Sequence, residues 1–525
     1  MIYTKFIENL SDYQKDILSR FLIFLPIFLI FVFPIIHANT YYGDDWYRAL
    51  WISTSNAWLT DHRPLGYLTV FITSAFGMRD IAPLSQIIGA ISVALSVSIL
   101  SLQWNYKTFP AVICFSFIFC QPFFLQNLSY HFDSMFMCFA LASSLIPFYS
   151  DPSKENKRKL FTYSTIIIFL VLNMYQPTIS VYLSISLFES MRNLLKTKKV
   201  TTSSKNFIFR LSSLGFSLLL FQVESLLFVK KSAYVSQHSE IIHSIKNIEN
   251  NFHSYLTIFH TYFLKDIFGY FMVFVILTSI ILFVKLSLNS DVKNKFIFLF
   301  FGLLIFVLNI ATIPSLQIIL LHPVLNSRTF ISFGAILSMC VSFFVNENLK
   351  KPVINASLSY FAAYILFSQI ALSFINGNGL KAQNDYRIMI ADQMNNDYSV
   401  LSNGRNDNTL FGTLGDEKIS TVSEKIFRKY HILEDNIKLL SFFSYYTQSP
   451  FFLPCIMLIR GFPDSSLFLS DTLSSFKENY RDSPTWKMIN EKVTSCHVER
   501  IIHHPLFNTY KIGNYIISDY AKKCS

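Results

Sequence analysis

Residues 21–48 read FLIFLPIFLIFVFPIIHANTYYGDDWYR. The stretch from Phe21 to Ala38 holds no Asp, Glu, Lys or Arg and is long enough to cross a bilayer as a helix. No small-residue cleavage site clearly follows it, so it reads as a retained span and not as a removed leader. Immediately after it come two adjacent carboxylates, Asp44 and Asp45, with Arg48 close behind. An apolar run abutting paired acids reads as a membrane protein with polar groups gathered at the membrane border.

The rest of the chain repeats the first half of that pattern. Of 525 residues, 52% are apolar and only 15% charged, with 55 phenylalanines and a mean hydropathy of +0.39. Soluble domains carry about 25% charged residues, so a water-soluble protein is excluded. Further spans read as Ile81 to Gln103, Phe109 to Gln126, Phe132 to Ser150, Leu160 to Tyr175 and Thr178 to Met191. Then come Phe207 to Val229, Ile267 to Leu286, Phe296 to Thr312, Thr329 to Val345 and Val353 to Ile375. The expectation is an α-helical polytopic membrane protein with eleven spans. Leu65 to Met78 is apolar but short, and reads as an interfacial or re-entrant helix.

The net charge of +11 is no nucleic-acid footprint. From Gly377 onwards 17 basic residues face 16 acidic ones, which leaves 27 basic and 17 acidic in the apolar part. With the N-terminus inside, the short inner loops and helix ends hold 18 of those basic residues and the outer segments eight, although segments 39–80 and 230–266 are long. Basic short loops stay cytoplasmic, so this asymmetry sets the orientation and puts the chain's end outside.

Residues 1–376 therefore read as a membrane domain and 377–525 as a small outer domain of mixed α/β type, with helical pattern over Glu424 to Leu440 and strand pattern over Tyr515 to Ser518. Phe451 to Ile459 is too short to span and reads as resting on the membrane. His503 and His504 read as surface residues. Cys455, Cys496 and Cys524 fall where disulfides form; Cys496 with Cys524 is one pairing, left open. In the 230–266 loop, the spacing of His238, His243, His253 and His260 argues against zinc. An amphipathic helix on lipid headgroups is preferred there, with Lys230 and Lys231 steering an anionic donor as the functional alternative.

The unusual polar residues gather on the outer side. They are Asp44, Asp45 and Arg48, then Asp61, His62 and Arg63 before Pro64. Later turns add Tyr130, His131 and Asp133, then Tyr175 and Gln176, and finally Asn326, Ser327 and Arg328. Each has an ordinary structural role as its alternative. Asp45 would cap a helix running to about Thr60, and Asp133 would cap a span. Gln176-Pro177 would be a hairpin turn and Arg328 a snorkelling cation. Together, paired acids and outer arginines favour a site. A carboxylate takes the proton of an attacking hydroxyl, while arginines hold and stabilise a departing phosphate. That chemistry suits group transfer from a lipid phosphate.

The order of these motifs resembles the phage-type O-antigen glucosyltransferases, the membrane-embedded serotype-converting family. The likeness spans roughly residues 20–375. It implies a GT-C glycosyltransferase of the bacterial inner membrane, inverting, that takes glucose from undecaprenyl-phosphate glucose to a sugar of lipid-linked O-antigen on the periplasmic face. Implied partners are membrane lipid, a lipid-glucose flippase and a cytoplasmic-face lipid-glucose synthase. No cofactor is required, although the carboxylates permit a divalent ion. By position the base is Asp44 or Asp45, with Asp44 preferred, and Arg63 and Arg328 hold the donor phosphate. Arg48 supports the carboxylates, and His62, Tyr130, His131, Asp133, Tyr175, Gln176 and Asn326 line or support the sugar pockets.

Competing classes fare less well. An O-antigen polymerase calls for large outer loops dominated by arginine. An acyltransferase of the hydrolase type calls for GxSxG, which the chain lacks. A polysaccharide-lipid transporter calls for repeated halves and charges deep in the spans, and the sequence reading finds neither.

Overall fold

The computed structural model describes residues 10–51, 56–152, 155–228, 236, 240–242, 244–345, 352–402, 409–415, 418–439, 453–462 and 484–524. They form two compact units. The first comprises Met1–His37, Ser53–Asn376 and Lys429–Leu433; the second comprises Ala38–Ile52, Gly377–Arg428 and Glu434–Ser525. Residues 38–52, which the sequence assigns to a loop of the membrane domain, thus cluster with the second unit. The boundary after Asn376 falls inside one continuous helix, Pro352–Leu401.

The first unit is helical. Among the described residues five helices are long and apolar enough to cross a membrane: Asp12–Ala38, Leu84–Gln103, Val200–Phe228, Ile267–Leu288 and the last helix from Ile354. Each of them exposes large apolar side chains. In Asp12–Ala38, Phe24, Phe28, Phe31 and Ile35 are buried at helical spacing, while Leu22, Ile30 and Phe33 are exposed. In water such an outer face costs about 25 cal/mol per Å2, so its natural neighbour is hydrocarbon.

Several expected spans are shorter or broken. Phe109 to Gln126 becomes the helix Thr108–Phe115, a 3-10 turn Ser116–Ile118, a break, and a second helix Phe124–Ser129. Pro122 supplies the reason, because it lacks an N–H and disfavours helix at Gln121 before it. Thr329 to Val345 becomes the 3-10 turn Ser327–Thr329 followed by Phe333–Ser342. The short helices pack around that break. A Cβ on Gly334 would lie 2.4 Å from the Phe117 carbonyl oxygen, so only glycine permits this approach.

Charge also enters the apolar helices, against the sequence expectation. Arg210 is wholly buried and binds Glu189 through two hydrogen bonds of 2.9 and 2.8 Å. Its remaining donors reach the Pro147 and Ser150 carbonyls. Each of its three nitrogens thus has an acceptor, which is what makes a buried pair tolerable. Glu224, on the same helix as Arg210, is a further and only partly buried charge.

The second unit contains a four-stranded sheet in the order β1-β4-β3-β2. Here β1 is Leu410–Leu414, β2 Arg500–His503, β3 Asn508–Ile512 and β4 Tyr515–Asp519. The pair β1–β4 is parallel, and β3 and β4 form a hairpin across Gly513-Asn514, where Gly513 has φ +58°. The helix Pro484–Thr494 covers it with Trp486, Ile489 and Val493. A disulfide joins Cys496 to Cys524, while Cys455 keeps its thiol.

Three local expectations are corrected. Glu424 to Leu440 is not one helix; it divides into Thr421–Lys429, a 3-10 turn His431–Leu433 and Glu434–Lys438. Within Phe451 to Ile459, the helix Leu453–Ile459 does not lie bare for a membrane. It buries Cys455, Ile456 and Met457 against Trp46, Ile390, Met394 and Phe411. His503 is exposed, but His504 is only partly so and pairs with the buried Asp397, its Nε2 lying 2.9 Å from both carboxylate oxygens.

Candidate functional site

In the first unit, turns far apart in sequence meet in one polar cluster. The Arg63 guanidinium stands 5.5 Å over the Tyr175 ring, and its Nε donates to Gln176 Oε1 at 3.3 Å. Gln176 Nε2 in turn donates to the His62 carbonyl at 2.8 Å. The backbone explains the arrangement. His62 adopts φ +58°, reversing the chain after the Ala57–Thr60 helix, and Pro64 opens the Pro64–Thr73 helix, where its missing N–H costs nothing.

Tyr175 carries the cluster across to Arg328. Its hydroxyl donates to the Arg328 carbonyl at 2.8 Å and accepts from Asn127 Nδ2 at 2.9 Å. The Arg328 N–H donates to Gln126 Oε1 at 2.6 Å, and its guanidinium donates to the Tyr130 hydroxyl at 2.8 Å. The Arg328 main chain and side chain are therefore both held. Asn326 sits at the head of the same turn, where its carbonyl accepts the Thr329 N–H at 2.9 Å. Tyr175 thus touches both the Arg63 guanidinium and the Arg328 main chain, and a guanidinium, with its five donors, is able to hold an anion.

His131 and Asp133 flank this network with partners of their own. His131 Nδ1 lies 2.8 Å from Asp80 Oδ2. Asp133 heads the Ser134–Leu145 helix without a side-chain cap bond, and instead accepts from the buried Trp58 Nε1 at 3.1 Å. The capping role expected for Asp133 is replaced by a tertiary contact. Gln176 opens the 3-10 turn Gln176–Thr178 and at the same time clamps Arg63.

The second unit holds the acidic pair, in two different environments. The helix that starts at Asp45 ends at Leu50, not near Thr60, and Asp44 occupies its cap position with no side-chain cap bond. Asp45 is fully buried, and its carboxylate accepts the Tyr42 N–H at 3.1 Å, closing the turn at Gly43 with φ +55°. Asp44 keeps 63% of its side chain exposed, 3.5 Å from the buried guanidinium of Arg48. Trp46 and Tyr47 anchor the helix in the core beside Cys455 and Met457. Burial, with the Cys455 thiol and Asp44 carboxylate nearby, pushes the Tyr47 phenol far up. The Cys455 thiol is pushed up to about 12 by burial, with Arg387 acting in the opposite direction.

Sequence reasoning did not single out Trp58, Asp80, Gln126, Asn127, Asn173 or Glu224. Glu224 left a signal, being the only carboxylate in the apolar run Phe207 to Val229. Lys230 and Lys231, with His238 and His243, lie outside the described residues. The helix Ile245–Phe263 that follows is amphipathic, burying Asn251, Tyr255, Tyr262 and Phe263, while its exposed face mixes polar residues with Ile245, Ile248, Phe252 and Leu256. Among the described residues no three His, Cys, Asp or Glu side chains group as metal ligands.

Over residues 33–339 the chain matches the family described as glucosyl transferase GtrII. It is also 26% identical over 428 residues to an uncharacterized 55.3 kDa protein in the gtrB 5' region of Salmonella phage P22, covering 79% of this chain and 85% of that one. No solved structure matches it. With the family match extending over more than half its length, the chain belongs to the glucosyl transferase GtrII family.

Proposed function

We propose that this glycosyltransferase moves glucose from undecaprenyl-phosphate glucose to a sugar of lipid-linked O-antigen at the periplasmic face of the bacterial inner membrane, modifying the O-antigen and converting serotype. The observation that carries the reading is membership of a glucosyltransferase family in a chain whose long helices expose apolar faces. A donor for such a protein is most simply a lipid. The location of the phage relative beside gtrB fits a multi-gene glucosylation system with a donor synthase and a flippase.

In this reading the fold is GT-C with eleven spans, a cytoplasmic N-terminus, a membrane domain over 1–376 and a periplasmic domain over 377–525. The basic bias of the inner loops supports the orientation. A disulfide in the second unit accords with an oxidising compartment.

Arg63 and Arg328 bind the donor phosphate, aided by Lys230 and Lys231. His62, Tyr130, His131, Asp133, Tyr175, Gln176 and Asn326 position the arginines or the sugars. Asp44 is the base, since its carboxylate is the exposed one of the pair, and Arg48 is its ion-pair partner. The acceptor oxygen forms a bond to the glucose anomeric carbon as the bond from that carbon to the phosphate oxygen breaks. The acceptor proton passes to the carboxylate, and lipid phosphate departs as an anion with inversion at the anomeric carbon.

The test is transfer of labelled glucose from undecaprenyl-phosphate glucose to lipid-linked O-antigen in membranes carrying wild type or Asp44→Asn. Transfer by wild type and its loss in the variant at equal protein level are expected. Wild-type transfer that survives the substitution would remove Asp44 as base. Absence of transfer by wild type with several O-antigen acceptors would overturn the donor assignment.

A further inference from the structure

Glu224 lies four residues before the end of the Val200–Phe228 helix, whose neighbouring Leu226, Leu227 and Phe228 are exposed and apolar. A carboxylate so close to a bare apolar surface is expensive unless something uses it. Its Oε2 accepts from Asn173 Nδ2 at 2.9 Å and lies 3.5 Å from His62 Nε2. The His62 ring also stacks on Phe221, one helical turn earlier, with centroids 3.9 Å apart and planes 8° from parallel. One face of this helix therefore stacks on the His62 imidazole and sets a carboxylate oxygen against its Nε2.

Both partners of Glu224 lead to Arg63. Asn173 follows the Lys157–Leu172 helix, and its carbonyl accepts the Leu65 N–H at 3.2 Å. The His62 carbonyl receives Gln176 Nε2, and Gln176 holds Arg63 Nε. The turn from His62 to Leu65 is thus fixed on both sides of Arg63, by one carboxylate acting through two intermediaries. His62 is in the left-handed region, at φ +58°, a conformation that non-glycine residues keep only when their surroundings hold them.

We infer that Glu224 is a positioning residue for Arg63, setting through His62 and Asn173 the guanidinium that meets an anionic donor. This rests on the donor-phosphate role proposed above for Arg63. Glu224 itself touches neither donor nor acceptor, so its removal loosens donor binding and leaves the chemical step in place. A charge-assisted contact from a fixed turn is lost when the turn wanders, even with Arg63 intact.

The experiment measures glucose transfer against donor concentration in membranes at matched protein level for Arg63→Ala, Glu224→Ala, Glu224→Gln and the double variant Arg63→Ala/Glu224→Ala. Glu224→Ala is expected to raise the donor KM about tenfold with kcat within about twofold of wild type, the pattern of lost ground-state binding. Glu224→Gln, the same size and still able to accept from Asn173, is expected to recover most of that loss. The double variant is expected to be no worse than Arg63→Ala, because the two act as one unit. A Glu224→Ala effect confined to kcat, or one that adds fully to Arg63→Ala, overturns the inference. Should Glu224→Ala fail to accumulate, Glu224→Gln decides it: a rise of about threefold in donor KM that vanishes in the Arg63→Ala background supports it, and any other result overturns it. An unchanged donor KM in Arg63→Ala itself would instead refute the donor-phosphate role.

Discussion

Asp45 spends its carboxylate on the Tyr42 N–H in a buried turn, while Asp44 next to it stays 63% exposed beside Arg48. The two substitutions separate accordingly. Asp44→Asn is expected to leave protein level unchanged and to lower transfer at least about 100-fold, as loss of a general base does. Asp45→Ala strips the acceptor from a buried N–H and is expected to cost about 1–3 kcal/mol, visible as less folded protein by thermal melting or protease resistance. Cys455 offers a third readout. Its thiol is pushed up to about 12 by burial, so at pH 8 a maleimide is expected to leave it unmodified in native protein and to label it after denaturation. Rapid native labelling would show that the core joining residues 38–52 to the Leu453–Ile459 helix is open. Nothing in the composition separates Asp44 from Asp45, because the difference lies in which of them the turn at Gly43 points inward.

The helices follow their sequence signals where one property suffices, and depart from them where neighbours intervene. Uninterrupted apolar runs such as Ile267 to Leu286 appear as helices with nearly the expected ends. Phe109 to Gln126 is also strongly apolar yet breaks, because Pro122 interrupts it and the freed backbone is buried against other helices. Gly334 marks the contact that makes the break possible. Gly334→Val is expected to destabilise the first unit by about 1–3 kcal/mol through overpacking against the Phe117 carbonyl, with transfer falling in step with folded protein. Full activity at full protein level would show that this approach is looser than the geometry indicates. The buried Arg210–Glu189 pair was equally illegible in one dimension, since 21 residues separate partners on different helices.

Across the whole chain, two units answer to different solvents. The first exposes Leu, Ile and Phe on its longest helices, whereas the second closes a mixed sheet with a disulfide between Cys496 and Cys524. Removing that bond frees a loop of 28 residues, and the double substitution to alanine is expected to cost about 3 kcal/mol in the second unit. Non-reducing gel mobility checks the bond and limited proteolysis checks its effect. If the bond forms in cells, reductant added to intact cells shifts the mobility; a bond absent from freshly isolated membranes would count against the periplasmic placement.

The length of the apolar runs, the basic bias of the loops between them and the polar turns at their ends are properties of contiguous residues. The membrane class and most of the side chains that meet in the polar cluster could accordingly be read in order along the chain. Arg63, His62, Tyr130, Tyr175, Gln176 and Arg328 were all identifiable that way. Their connections were not: Arg63 reaches Gln176 across 113 positions, and Arg328 reaches Tyr130 across 198. The same holds for the grip of Glu224 on His62 and for the burial of Asp45 beside an exposed Asp44. Partners so distant in sequence are chosen by how helices pack, and hydrogen bonds short enough to matter form only after that packing has placed both ends.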